Sequence, residues 1–384
     1  MINIDVKIII ATHTYATGPA HDIRDYLNEH KIKNLLFINH PLFFDEKING
    51  SGYKVYKGGV LIKKRTSKIT TQNVVSYFDQ TIKTLLWVII NGRKWDLFIG
   101  SNNLNAFAGV ILKKIGIVKK TVYYTIDYDP QRFESKLLNR MYHCIDRFCV
   151  KYSDVTWNLS PRMMGARKKY FNLTGGNQIT VPIGIWYDKT PRKKISDVDK
   201  NTLVFMGHIL EKSGVQNVIK AIPEIIKKVP KFKFLVMGGG KYLTELIDLS
   251  KKLLVEKHVE FTGYIKNHKY IEERLSRCTL AIAMYKKVEI NGKINCTYFA
   301  DPGKIKSYLA AGLPILITDV PHNAKDIVKQ GCGKIITNTP SSIAEAVISM
   351  ISDEKIAQYK INAIKYAKKF DWNKILDKYL GEEL

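Results

Sequence analysis

Cysteine is scarce in this chain of 384 residues, with five in all and no Cys-x-x-Cys pair. An odd count without paired spacing excludes a disulfide framework and a cysteine zinc site, and points to reduced thiols and the cytoplasm. Cys144 and Cys149 lie in a helical pattern and read as packing residues. Long apolar runs are missing too: the longest, such as Leu85 to Ile90, fall far short of the roughly 20 residues that span a bilayer. That run reads as a core helix beneath a sheet, with insertion into a membrane surface as the alternative. Ile8, Ile9 and Ile10, after mixed polar residues, read as a first strand and not as a signal peptide. Acidic residues are few, 35 against 61 basic ones, for a net charge of +26. The basic residues do not gather with aromatics in a nucleic-acid-binding module. What is left is attraction to an anionic surface or polyanionic substrate, or plain solvation of scattered lysines. No acidic metal motif of the D-x-D type stands in a suitable loop, with Asp129 and Asp301 read as apart from such a pattern, so no metal is expected.

What the chain does have is size and alternation. Its length suits two domains, and 45% hydrophobic with 11% aromatic residues supports folded cores without low-complexity tracts or repeats. Strand-like apolar runs alternate with helical segments throughout, which predicts two α/β domains. In the first half, Lys7 to Ala11, Leu35 to Asn39, Leu97 to Ile99 and Thr121 to Thr125 read as parallel strands, with a Thr17-Gly18-Pro19 turn into a helix. Their C-terminal ends carry His13, His40, Ser101, Asn102, Asn103, Asp127 and Asp129. Ligands of doubly wound sheets bind beyond those ends, so these residues are candidates; the plain alternative for each is a cap or turn role. In the second half, Thr202 to Met206 ends in Gly207-His208, with Lys212, Ser213 and Gly214 following. Phe232 to Met237 runs into Gly238-Gly239-Gly240. Glycines there let a ligand approach the backbone, and the amides of the next helix favour phosphate. Tyr187 to Asn201, with Pro191 and Arg192-Lys193-Lys194, reads as an interdomain linker. The last segment carries Trp372, Ile375 and Tyr379, which need a surface to cover.

Asp301 to Asp319 is the densest stretch. Pro302 suits a first helical position, and Lys304 falls in the opening turn, where free amides and the helix dipole favour an anion. Ser307 lies one turn on. Ala310, Ala311 and Gly312 end the helix, and Leu313 to Ile317 is a covered parallel strand. A cation and a hydroxyl at a helix start beside a strand end suit a nucleotide diphosphate; the alternative is a tight turn with a solvated lysine.

These segments, in this order and spacing, resemble the retaining glycosyltransferases of the large family numbered four, over essentially the whole chain. The resemblance rests on Leu203 to Gly207 with Lys212 and Gly214, Val236 to Gly240, Phe261 to Gly263, Tyr308 to Pro314, and Asp326 to Val328 before Gly331 and Gly333. Val181 to Gly184 and the terminal Phe370-Asp371-Trp372 add to it. It implies the GT-B architecture: two doubly wound Rossmann-like α/β domains facing across a cleft, with a C-terminal helix crossing back. The expected divisions are 1–187 for the acceptor domain, 188–200 for the linker, 201–368 for the nucleotide-sugar domain and 369–384 for the crossover helix. The implied activity moves a sugar from a nucleotide-diphosphate sugar to a saccharide or lipid-linked saccharide in cell-surface polysaccharide synthesis. It would take place in the cytoplasm or on the inner face of its membrane, on an anionic surface and with no nucleic acid. Lys212, Lys304 and Asp127 are the expected catalytic residues; Gly18, Gly207, His208, Gly239 and Ser307 are the expected donor-binding ones, with neither cofactor nor metal. Departures stand beside the matches. His208 replaces the family's usual arginine, Ser307 and Phe299 replace its two glutamates, Thr17-Gly18 stands for its early Gly-Gly, and Asp127 stands for a histidine. A degenerate transferase that only binds sugar nucleotide, or scaffolds at a membrane, is the other class these departures allow.

Overall fold

A computed structural model describes residues 4–14, 18–41, 50–68, 75–288 and 292–384. The chain divides into two units, Met1–Pro182 with Trp372–Leu384, and Ile183–Asp371.

The first unit is built on an eight-stranded sheet. Its strands are β1 (Lys7–Thr14), β2 (Asn34–Pro41), β3 (Gly50–Lys57), β4 (Val60–Lys68), β5 (Trp95–Ser101), β6 (Val118–Thr125), β7 (Val155–Asn158) and β8 (Gln178–Thr180). They lie in the order β4-β3-β2-β1-β5-β6-β7-β8. All neighbours from β2 to β8 are parallel, while β3 runs antiparallel to both β2 and β4. The helices are α1 (Pro19–Glu29), α2 (Val75–Asn91), α3 (Asn103–Lys114), α4 (Lys136–Tyr152) and α5 (Pro161–Phe171). Ile8 to Ala11 are fully buried, as a continuous apolar run in a strand covered on both faces requires. Ile9, Leu36, Ile38 and Phe98 pack with Trp87, Val88 and Leu112. The β3–β4 hairpin is absent from the sequence reading; it places Lys63, Lys64 and Arg65 on an edge strand, where exposed charge blocks pairing with other chains.

The second unit holds a six-stranded, all-parallel sheet of β9 (Thr202–Met206), β10 (Lys233–Met237), β11 (Val259–Gly263), β12 (Leu280–Ala283), β13 (Ile315–Thr318) and β14 (Gly333–Ile336). Its order, β11-β10-β9-β12-β13-β14, is that of a dinucleotide-binding domain. The helices are α6 (Val215–Lys228), α7 (Leu243–Lys252), α8 (His268–Arg277), α9 (Gly303–Ala310), α10 (Ala324–Lys329), α11 (Pro340–Ile351) and α12 (Ile356–Ala367). One face of the sheet packs on Val218, Ile219 and Ile222 of α6 and Ile343 and Val347 of α11. The other packs on Ile305, Tyr308 and Leu309 of α9 and Ala363 and Tyr366 of α12.

The chain then crosses back. Helix α13 (Trp372–Gly381) buries Trp372, Ile375, Leu376 and Leu380, and its Asp377 accepts a hydrogen bond from the Tyr26 hydroxyl on α1. Tyr379 lies against Trp157, with ring centroids 6.3 Å apart. The expected linker behaves differently. The units part between Pro182 and Ile183 instead of at 187/188. Arg192 donates from Nε to the Ala310 carbonyl at 2.8 Å and from Nη2 to the Tyr187 carbonyl at 2.6 Å, and its guanidinium covers the Tyr187 ring at 3.9 Å. Polar composition marked this segment as a linker, but its arginine fastens it to the second unit.

Candidate functional site

Each sheet reverses its strand order once, between β1 and β5 in the first unit and between β9 and β12 in the second. The crevice beyond the strand ends at such a reversal is where open α/β sheets bind ligands.

In the second unit the chain leaves β9 at Gly207 with φ of 146°, a value that side-chain-bearing residues rarely adopt. A Cβ there would stand 3.2 Å from Nζ of Lys304, so the ammonium lies directly against this turn. Gly238, at the end of β10, has φ of 148°, and its Cβ would come 1.9 Å from the Gly207 carbonyl oxygen. Lys304 is the second residue of α9. Pro302 is its cap, one place earlier than expected, because its extended backbone (ψ 117°) turns its carbonyl to the Ile305 N–H. Nζ of Lys304 lies 4.7 Å from the centre of the Phe205 ring and 5.2 Å from that of Tyr285. Burial pushes the amine down to about 8, and among the described residues no carboxylate offsets that loss of water. The buried Tyr285 hydroxyl has no hydrogen-bond partner among them either.

The neighbouring positions are fully satisfied. Lys306 is buried and ion-paired with Asp301, whose other oxygen accepts the Ile183 N–H at 3.0 Å. Burial lowers Lys306 as well, and Asp301 raises it again. The Tyr308 hydroxyl accepts the Met206 N–H at 2.7 Å, which fastens α9 to the end of β9. His208 and Lys212 are exposed on the loop between β9 and α6, the lysine in a single 3-10 turn, Glu211–Ser213. The Ser213 hydroxyl donates to the His208 carbonyl at 2.9 Å and accepts the Leu210 N–H at 3.3 Å. The Gly239 carbonyl accepts the Ile209 N–H at 2.9 Å. Ser307 is half-buried one turn after Lys304. The geometry thus joins Gly207 and Lys304 in direct contact, sets Gly239 against the same loop, and leaves His208 and Lys212 at that sheet end facing solvent.

The first unit ends its strands differently. His13, at the end of β1, donates from Nε2 to Oε1 of Gln80 at 2.8 Å, and its Nδ1 accepts from the amides of Asn102 at 2.8 Å and Asn105 at 2.9 Å. Gln80 is itself oriented by donating to the Pro41 carbonyl at 3.1 Å. Both ring nitrogens are therefore occupied in the neutral form, and burial pushes the imidazole down to about 4. His40 accepts from Ser51 at 2.9 Å and donates to Thr84 at 2.7 Å, and burial lowers it far below the ordinary range. Neither histidine has a lone pair to offer as a base.

Beside them lies a cavity of about 210 Å³ within the first unit. Its walls are mostly apolar, including Phe78, Ile126, Phe133, Met141 and Ile145, with His13, Asn102 and Asp127 among the polar exceptions. Asp127 is half-exposed and pairs through Oδ2 with Nη1 of Arg132 at 2.5 Å. Asp129 accepts the Gln131 N–H at 2.9 Å as a turn cap. Asp127, Tyr128 and Asp129 do spell D-x-D, contrary to the reading that sets Asp129 apart, but each carboxylate answers a protein group of its own. Gly18 caps α1 with extended backbone, and nothing lies within 4 Å of where its Cβ would be. Pro19 has no N–H, and His21 and Asp22 donate to the Gly18 carbonyl, which leaves the amides of Gly18 and Ala20 outside the helix's own bonds. Thr17 lies outside the described residues.

Arg132, Gln80 and Asn105 are absent from the sequence reading. Arg132 had a usable signal, since it follows Asp127 by five residues in the same strand-end loop. Gln80 had none, because it comes from a helix that joins the site only through the fold. The buried set around Arg167 was equally hidden: it pairs with Asp146 at 2.8 Å, bonds Asn158 at 2.5 Å and Thr125 at 2.9 Å, and braces β6 and β7.

Comparison with known proteins follows the same division. Residues 200–353 match the family described as glycosyl transferases group 1. An uncharacterized glycosyltransferase of Methanocaldococcus jannaschii is 20% identical over 371 residues, covering 81% of this chain and 88% of that protein. Among solved structures, HepE of Anabaena in complex with UDP superposes with a TM-score of 0.69 at 15% identity, over 98% of this chain and 99% of that one. WaaG, a glycosyltransferase involved in lipopolysaccharide biosynthesis, superposes with a TM-score of 0.65 at 15% identity, over 96% and 98%.

Proposed function

We propose that this chain, a group 1 glycosyltransferase of GT-B architecture, moves a sugar with retention from a nucleoside-diphosphate sugar to a saccharide or lipid-linked saccharide of the cell surface. The observation that carries the donor reading is Lys304, an ammonium partly withdrawn from water and set against Gly207 at the strand-order reversal, without a carboxylate partner among the described residues. A half-buried cation of this kind, with no carboxylate beside it among the described residues, suits an anionic ligand that completes its environment, and a diphosphate at a helix start meets free amides as well. His208 and Lys212 add charge from the neighbouring loop, Gly207 and Gly239 give backbone access, and Ser307 supplies a hydroxyl one turn along α9. The amides of Gly18 and Ala20 are further donors for an anion.

The proposed reaction breaks the bond between the anomeric carbon and the diphosphate oxygen and forms one to the acceptor oxygen on the same face. The acceptor's hydroxyl proton passes to the departing phosphate. Positive charge from Lys304 and Lys212 stabilises that leaving group as negative charge grows on it, which is the largest contribution such a site can make. With two lysines at the phosphates, the reading calls for no metal. Asp127, paired through Oδ2 with Arg132, keeps Oδ1 for a hydroxyl of the sugar or acceptor. The net charge of +26 and WaaG's involvement in lipopolysaccharide biosynthesis support work on the cytoplasmic face of a membrane. Among the described residues no helix is long and apolar enough to cross one.

A panel of nucleotide sugars, followed by mass spectrometry for release of nucleoside diphosphate, tests the reading. Turnover of at least one donor supports it. Intact donors across the panel, together with no thermal stabilisation by any nucleoside diphosphate, overturn it.

A further inference from the structure

Helix α2 is built inside out. Its buried face carries Ser76, Gln80 and Thr84 with Trp87 and Val88, while Phe78, Ile82, Leu86, Ile89 and Ile90 face outward. Phe78 is 59% exposed, Ile82 55%, Leu86 51% and Ile90 62%. Spacings of three and four residues align these side chains on one side of the helix. A helix at a protein–water surface has the opposite arrangement, and a contiguous apolar face of this size marks a contact with something other than water. The inward polar residues have a clear cause, since Gln80 and Thr84 hydrogen-bond His13 and His40. The outward apolar residues have no such cause among the described residues.

Basic residues frame this face. Arg93 and Lys94 are exposed just past the end of α2. On β4, exposed Lys63, Lys64 and Arg65 follow exposed Val60, Leu61 and Ile62, and Lys63 reaches Asn91 of α2 at 3.5 Å. An apolar helix face rimmed by lysine and arginine is the pattern of a helix that lies in the plane of an anionic bilayer surface. Phe78 belongs both to this face and to the wall of the cavity, whose apolar lining continues through Met141 and Ile145. At about 210 Å³ the cavity is below the roughly 300–1,000 Å³ of pockets that enclose a whole small molecule. A volume of that size suits one segment of a long apolar chain, with the rest outside it.

We propose that the outward face of α2 beds in an anionic bilayer and passes the hydrocarbon chain of a lipid-linked acceptor to this cavity. This rests on the glycosyltransferase reading for the identity of the acceptor, and it narrows the acceptor class from a saccharide of any kind to one carried on a hydrocarbon chain. The chain's first segment packs among Phe78, Phe133, Met141 and Ile145. The head group is left at the cavity's polar side, near Asp127 and Arg132.

Sedimentation with phosphatidylcholine vesicles, with and without phosphatidylglycerol, tests the docking; binding of dodecyl glucoside against methyl glucoside, followed by thermal shift, tests the cavity. The protein is expected to pellet with the anionic vesicles, and Leu86→Glu to reduce that retention about tenfold or more while keeping its melting temperature. Dodecyl glucoside, and not methyl glucoside, is expected to stabilise the protein, and Met141→Trp to abolish that shift. Undiminished retention of Leu86→Glu overturns the docking, as does a concentration-dependent dimer that this variant dissolves without any vesicle binding. Equal shifts from both glucosides overturn the cavity assignment. Neither readout involves a nucleotide, so a failed donor panel and a failed lipid test are told apart.

Discussion

At the ends of β1 and β5 the buried titratable groups are answered by neutral partners, whereas at the ends of β9 and β12 a half-buried cation has no carboxylate to answer it among the described residues. His13 meets Gln80, Asn102 and Asn105, so its ring is oriented and its charge suppressed. Lys304 meets two aromatic rings and a glycine, and the water these exclude, not an ionic partner, sets its lowered proton affinity. The contrast repeats inside α9 over two residues: Lys306 has Asp301, and Lys304 has no such partner among the described residues. Preformed networks of the first kind fix a shape, and an uncompensated charge of the second kind waits for a ligand. The two lysines are therefore expected to respond oppositely to mutation.

The largest effect is expected at Asp301. Replacing it by alanine strands the buried Lys306 ammonium and frees the Ile183 N–H, and breaking such a pair by removing one partner costs about 3–5 kcal/mol. Urea unfolding should show that loss. A destabilisation below about 1 kcal/mol would mean that water reaches Lys306, and the contrast with Lys304 would collapse.

Lys304→Ala is expected to do the reverse. Folding should be unchanged or slightly more stable, because a desolvated charge is removed, while kcat/KM falls by the worth of a charge-assisted contact of about 1.5–3 kcal/mol, roughly ten- to hundredfold. Full turnover with every active donor would take Lys304 out of the site. Lys212→Ala, on the exposed loop, should lose less through charge screening but in the same direction.

Asp127→Asn sharpens the comparison from the side of the first unit. The substitution keeps the shape, removes the charge that Arg132 neutralises, and is expected to slow transfer about tenfold with nucleoside-diphosphate affinity intact, the scale of one hydrogen bond to a charged group. Weakened binding of the bare nucleotide in this variant would place Asp127 on the donor side instead.

Legibility in the sequence followed the range of the interactions. Most of the second sheet could be read from the sequence, because fully buried parallel strands such as Thr202–Met206 and Ile315–Thr318 are continuous apolar runs closed by glycine or polar residues, whereas the edge strand Gly333–Ile336 was not read as one. Lys304 was legible as a helix-start cation because the helix start is local. The role of Asp301 was not, because its value lies in Lys306 five residues on and Ile183 118 residues away. Helix α2 was legible in part. Within Leu85 to Ile90, Leu85, Trp87 and Val88 do pack in the core beside the sheet, yet much of the inward face is claimed by Gln80 and Thr84 for two histidines, and Leu86, Ile89 and Ile90 are turned out. The β3–β4 hairpin escaped because Lys63-Lys64-Arg65 reads as a solvated charge run until a partner strand is known.

The smallest effect separates the two sites by pH. Lys304 titrates at about 8 when folded, against an ordinary 10.5. Between those values the unfolded chain holds a proton that the folded one has given up, so its contribution makes stability rise with pH across that window, as the cost of the buried charge disappears. His13, lowered from 6.5 to about 4 by burial, acts at the other end: stability is lost as pH falls from 6.5 towards 4, and nothing from this ring changes near neutrality. Nucleotide binding reverses the sign for Lys304, because a diphosphate favours the ammonium. Affinity for the nucleoside diphosphate of the active donor should therefore fall as pH climbs past about 8, by no more than about tenfold per pH unit. Calorimetric titrations with that nucleotide on either side of pH 8 measure that slope. Lys304→Arg carries a charge that does not titrate there and should flatten it. A slope that survives in Lys304→Arg belongs to another group, and the ammonium against Gly207 would then be ordinary packing.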